Sequence, residues 1–220
     1  MTPVRTILVP GLACDERVFE PQRAGGLQFE VAPLPMPERR EPMAAYARRV
    51  HDQLHLDGPY ILVGVSFGGM LACELAQLTT PKRILLIASC TSPRAIPFRY
   101  RISEFMSRFI PDRVIERQIE TGTRELVTRF EGITTTQHRL LTEMARDSGV
   151  VKLRRTSRMI LHWKAPRSCP CPIHAIHGDR DHVIPLRRVH AEQVVPGAGH
   201  LINFTHAGEV NSFLSKYFAD

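Results

Sequence analysis

Ser66 stands at the centre of Gly64-Val65-Ser66-Phe67-Gly68, directly behind the apolar run Tyr60-Ile61-Leu62-Val63. That pattern reads as a nucleophile elbow: a strand ends and a helix begins within a few residues, so the serine occupies a tight, strained turn with its hydroxyl presented outward. A serine hydroxyl is a poor nucleophile unless a base accepts its proton and a carboxylate orients that base. Both follow downstream in the chain. Ile173 to His177 reads as a buried strand running into the acidic turn Gly178-Asp179-Arg180-Asp181, and Asp181 is the expected orienter, with Asp179 as its rival. Gln193-Val194-Val195 reads as a last strand that ends in Pro196-Gly197-Ala198-Gly199, a glycine-rich loop delivering His200 as the expected base. Upstream, Thr6 to Val9 is a strand whose tip bends at Pro10-Gly11 and frees backbone donors there. The N–H groups of Leu12 and Phe67 are the expected oxyanion hole of an acyl transfer.

The elements that must carry these groups alternate. Strands are expected near 5–9, 28–33, 60–65 and 83–89, and helices after Asp15, over 42–55 and over 67–79, which favours a parallel sheet covered by helices. Residues 91–170 lose strand character and show helical patterns, such as Thr136 to Asp147 with Leu140, Leu141 and Met144 in register. A final helix over 206–218 would pack Val210, Phe213, Leu214 and Tyr217 on the sheet.

With Pro10-Gly11, the elbow at Ser66, Asp181 and His200 in this order, the chain resembles the α/β-hydrolases, and small bacterial esterases among them. The resemblance implies a three-layer α/β sandwich with a mostly parallel sheet of about six strands. It assigns 1–90 and 171–220 to one hydrolase core and 91–170 to a helical cap. It also implies a carboxylic ester or thioester as substrate, an acyl-enzyme intermediate and no cofactor. Lyase, perhydrolase or purely binding members of the same fold are the alternatives, since fold does not fix function. Two departures stand out: no antiparallel hairpin opens the sheet, and Pro185 to Gln193 leaves room only for a loop or one helical turn.

The chain has 220 residues, 43% of them hydrophobic, enough for one domain with a substantial core. No segment approaches the ~18 consecutive apolar residues of a membrane helix, and a soluble cytoplasmic protein is expected. Its five cysteines (14, 73, 90, 169 and 171) form an odd set without metal-finger spacing and are expected to be reduced, Cys14 being a packed residue. His174, His177, Asp179, Asp181 and His182 are a conceivable metal cluster. His174 and His177 are three apart on a strand and should face opposite ways, so no metal is expected.

Charge is unevenly placed. Residues 91–170 hold 16 Lys and Arg against 8 Asp and Glu, so the +7 excess of the whole chain lies there. Arg154, Arg155 and Arg158 share a helical face and suggest a docking site for an acidic acyl carrier or the phosphates of a coenzyme A thioester. A solvated basic face is the plainer alternative, and no nucleic-acid motif is present. Phe98, Phe105, Phe109 and Trp163, with Met106 and Ile110, are the apolar cap residues that are candidates to roof an acyl pocket, with plain cap core the expectation for most of them.

Overall fold

Six strands, all parallel, form one sheet in the order β2-β1-β3-β4-β5-β6: β1 (Arg5–Val9), β2 (Glu30–Val31), β3 (Tyr60–Val65), β4 (Arg83–Ile87), β5 (Ile173–Gly178) and β6 (Gln193–Val195). The computed structural model describes residues 4–56, 58–119 and 133–218. Every residue of β3 is buried, as expected for a central strand covered on both faces. Alternate side chains divide between two cores. Ile7, Val9, Leu62, Ile84 and Leu86 meet Tyr46, Ala47 and Val50 of α2 (Met43–Leu54) and Met70, Leu71 and Leu75 of α3 (Phe67–Leu75). Leu8, Ile61, Val63, Leu85, Ile87 and Ile176 meet Phe19, which precedes α1 (Glu20–Ala24), and Val210, Phe213, Leu214 and Tyr217 of the last helix. Burying each such side chain contributes about 1.5–3 kcal/mol.

Between β4 and β5 the chain leaves the sheet and forms helices: α4 (Phe98–Ser107), α5 (residues 112–119) and α6 (Thr135–Leu161). A reciprocal Thr134–Gln137 capping box starts α6, and Gly149, at φ 71° and ψ 156°, breaks it into two segments. The final stretch divides into α7 (Ile202–Thr205) and α8 (Ala207–Phe218).

Several boundaries differ from expectation for local reasons. The strand expected over 28–33 pairs only at Glu30–Val31, because Pro33, Pro35 and Pro37 follow and cannot donate to a ladder. The elbow helix ends at Leu75 instead of running to 79: Gln77 and Leu78 N–H bond three residues back, to Glu74 O and Leu75 O, and the chain tightens into turns. Between Pro185 and Gln193 there is a single turn, Leu186–Arg188. Among the described residues no helix is long and apolar enough to cross a membrane.

Candidate active site

Ser66 lies between β3 and α3 at φ 52° and ψ −118°, a backbone geometry that L-residues rarely adopt. Tight packing holds it there. A Cβ on Gly68 would sit 2.0 Å from the Val9 carbonyl oxygen, so only glycine lets α3 start against the tip of β1. The Ser66 N–H donates to Ile87 O at 3.0 Å, and Ser89 Oγ donates to Ser66 O at 2.6 Å, tying both sides of the turn to the end of β4.

His200 reaches the serine from the loop after β6. Its Nε2 is 2.8 Å from Ser66 Oγ and its Nδ1 is 2.7 Å from Asp181 Oδ2. A carboxylate only accepts, so Nδ1 carries the proton and donates to Asp181, leaving Nε2 to accept from the serine hydroxyl. Asp181 follows β5 and is 3% exposed. Its Oδ1 accepts from Val183 N–H at 2.8 Å and Ile184 N–H at 2.9 Å. Burial pulls its pKa upward, but the charge of His200 and hydrogen bonds from His177, His200 and Ile184 outweigh it and hold the carboxyl well below the usual range.

The two aspartates of the turn have different partners. Asp179 Oδ1 accepts from Gly197 N–H at 2.8 Å and so braces the loop that carries His200, while Asp181 touches the histidine itself. His177 is an additional member, considered from the sequence only as a metal ligand. It is buried at the end of β5, donating from Nε2 to Ile184 O at 2.8 Å, with the same nitrogen 3.2 Å from Asp181 Oδ2. A histidine on a buried strand four residues before the orienting acid was the available signal. His174 points the other way, bonding Glu192 at 2.7 Å and stacking on Tyr217. Among the described residues no group of three His, Cys, Asp or Glu is placed to hold a metal.

Opposite His200, the β1 tip closes on the serine: a Cβ placed on Gly11 would lie 3.7 Å from Ser66 Cβ. Among the described residues neither Leu12 N–H nor Phe67 N–H donates to a protein acceptor. Cys14 also borders this region, and desolvation followed by the charge of Asp15 pushes its thiol up to about 12, so it is not a thiolate nucleophile at neutral pH.

Ser66 and His200 open into a cavity of about 870 Å³ bounded by Gly11, Leu12, Val65 and Met70 below and by α4, α5 and α6 above. Of the candidate apolar roof, Met106 and Ile110 line it. Phe98, Phe105 and Phe109 do not: they lie on the outside of the cap, 69%, 52% and 73% exposed. The inward positions of α4 belong to Tyr100, Ser103, Glu104, Met106 and Ser107. Trp163 is buried beneath the cap instead of roofing the cavity, its Nε1–H donating to Glu74 Oε1 of α3 at 2.7 Å.

Arg154, Arg155 and Arg158, the expected docking residues, each have a partner within the protein. Arg154 donates to Asp112 at 2.8 Å, to Ser107 O at 2.6 Å and to Ile110 O, capping the carboxyl end of α4. Arg155 donates to Pro37 O at 2.7 Å, and Arg158 lies 3.7 Å from Glu104. All three border the cavity.

The model of the alpha/beta hydrolase family matches residues 7–213. No curated protein sequence matches. Among solved structures, the chain is similar to an esterase from Thermogutta terrifontis with malate bound, at 20% identity, covering 99% of this chain and 90% of that one with a TM-score of 0.67. It is similar to a hydrolase from Pseudomonas aeruginosa PA01 at 14% identity, 99% and 91% coverage and TM-score 0.76. The enol-lactonase from Burkholderia xenovorans LB400 aligns at 14% identity, 100% and 93% coverage and TM-score 0.72. At these identities the structural likeness speaks for the fold, and the match over 7–213 establishes that this chain belongs to the alpha/beta hydrolase family.

Proposed function

We propose that the chain is a serine hydrolase that cleaves a carboxylic ester or thioester through Ser66, His200 and Asp181. The observation that carries this reading is the unbroken run of hydrogen bonds from Ser66 Oγ through both ring nitrogens of His200 to Asp181, at 2.8 and 2.7 Å. Ser66 Oγ attacks the carbonyl carbon while His200 Nε2 takes the hydroxyl proton. Asp181, held anionic by its donors, stabilises the imidazolium and fixes its tautomer. The carbonyl oxygen, now negative, receives the N–H groups of Leu12 and Phe67, and losing one such donor costs roughly 100 to 1000-fold in rate. His200 then gives its proton to the leaving alcohol or thiol as the tetrahedral carbon collapses to an acyl-serine. Water, deprotonated by His200, repeats the attack and frees the acid and Ser66.

The esterases and enol-lactonase among the similar folds support an ester-type bond as the target. The test is turnover of 4-nitrophenyl esters of increasing chain length by the native protein and by Ser66→Ala. A rate loss on the order of 10⁶-fold is expected in the variant, with its fold retained. Undiminished turnover would refute this function.

A further inference from the structure

Among the described residues the cavity is bordered by six arginines, Arg39, Arg40, Arg108, Arg154, Arg155 and Arg158, against one carboxylate, Glu104. Three of the six are compensated. Glu104 holds Arg108 through two oxygens at 2.8 to 3.1 Å and also lies 3.7 Å from Arg158, while Asp112 takes Arg154 at 2.8 Å. The other three are not. Among the described residues Arg155 has one neutral partner, Pro37 O, for a group with five N–H donors. Arg39 and Arg40 have no hydrogen bond or ion pair among the described residues, and Arg40 is held at φ 61° in the turn that presents them. The flanking acids do not neutralise them, since Glu41 bonds Arg49 at 3.0 Å and Glu38 lies 3.9 Å from that same arginine.

The remaining walls are largely apolar, with Leu12, Val65, Ile110, Leu153, Ile160 and Leu161 among them. Low-dielectric walls focus the field of uncompensated charge into the cavity. A guanidinium fork matches a carboxylate or phosphate through two parallel hydrogen bonds. We propose that Arg155, with Arg39 and Arg40, binds an anionic group, a carboxylate or a phosphate, that the substrate carries apart from the bond cleaved at Ser66. The substrate is then a small anionic ester that enters the cavity, not a protein carrier docked on the cap surface. This rests on the serine hydrolase reading for its chemistry, though the anion site can be measured without turnover.

The experiment pairs 4-nitrophenyl hexanoate with mono-4-nitrophenyl adipate, equal in chain length but ending in a carboxylate, and with the corresponding 6-phosphooxyhexanoate ester. The native protein should prefer the anionic esters by about ten-fold or more in kcat/KM. That ratio should fall towards one in Arg155→Gln and in the double variant Arg39→Gln with Arg40→Gln. The second variant removes no bond among the described residues, so it separates recognition from the strap that Arg155 makes to Pro37. Preference for the phosphorylated ester over the adipate assigns a phosphate handle, and the reverse assigns a carboxylate. A ratio at or below one in the native protein overturns the proposal while leaving the hydrolase reading intact. Calorimetric titration of Ser66→Ala with adipate reads the same site without catalysis. Binding that weakens ten-fold in the arginine variants supports the site even where no ester is cleaved, and binding indifferent to those arginines overturns it.

Discussion

The floor and the roof of the cavity are held by different physics. The floor is the carboxyl edge of the sheet, where Ser66, Asp181 and His200 stand on strand ends whose side chains are almost wholly buried. Its polar groups are fixed by short bonds to backbone, such as Asp181 to the Val183 and Ile184 N–H groups, and by contacts too close for a side chain, as at Gly68. Among the described residues of the roof, α4 buries no side chain, while α6 buries seven, Met144 against one core and Met159 against the other. The roof is also tied down by long cations reaching neutral carbonyls: Arg155 to Pro37, Lys152 to Leu34 at 2.8 Å, and Arg99 to His182 at 2.5 Å. A floor of this kind sets atoms to the precision that chemistry needs. A roof whose α4 buries nothing can change its contour there at little energetic cost, which suits it to setting specificity.

The largest contrast expected lies within the floor. Asp181→Asn should lower kcat/KM by about 10⁴-fold, because the amide would disturb the proton pattern that gives His200 its tautomer. Asp179→Asn keeps an oxygen for Gly197 N–H and should cost less than about ten-fold. Steady-state kinetics on the two variants decides, and the reverse ranking would exchange their roles.

Glycine substitutions set floor against roof directly. Gly68→Ala drives a methyl to 2.0 Å from backbone at Val9 and should lower stability by more than about 4 kcal/mol, or prevent folding. Gly149→Ala meets nothing within 4 Å and bears only the strain of φ 71° and ψ 156°, a region nearly exclusive to glycine, about 1–3 kcal/mol. Urea denaturation of both variants gives the comparison, and similar losses would contradict it.

His177→Phe should lower kcat by about ten-fold with KM little changed, because Asp181 loses a neighbour and Ile184 O loses its donor while the roof is untouched. A rise in KM alone would show that His177 acts on substrate binding instead.

The smallest effect concerns Glu192. Hydrogen bonds from Lys216, Tyr217 and His174, in that order of weight, hold its carboxyl at about 2 against an ordinary 4.5. A folded-state pKa below the unfolded one gives stability that is present above 4.5 and lost as the pH falls towards 2. The carboxylate is well exposed, so the contribution is below about 1 kcal/mol. The stability gap between the native protein and Glu192→Gln should therefore close over that window, as followed by denaturation at stepped pH.

The floor was also the legible part of the sequence. A nucleophile elbow needs glycine at particular offsets, a strand before it and a helix after it, and those demands are local. Asp181 and His200 could be placed because each follows an apolar strand and precedes a turn. The short β2 follows from prolines, whose effect on the neighbouring backbone outweighs the apolar pattern around them. The roof was opaque for a different reason. Periodicity puts Phe98, Phe105 and Phe109 among the apolar residues of one segment, but it does not reveal which side of α4 meets the core. The arginines of α6 could not be resolved either. Arginine has a long stem and five donors, so the same spacing serves an outward basic face or, as found, inward bonds to carbonyls more than 40 residues away in sequence. The part played by His177 is hidden in the sequence because its partners, Ile184 O and Asp181, are set by the turn that follows β5.

The measurement that bears most directly on the central claim is mass spectrometry of the protein after reaction with a fluorophosphonate. One adduct is expected, on the peptide carrying Ser66, at a rate that collapses in His200→Ala. No adduct on the folded protein, or an adduct on another residue with Ser66 unmodified, would contradict it.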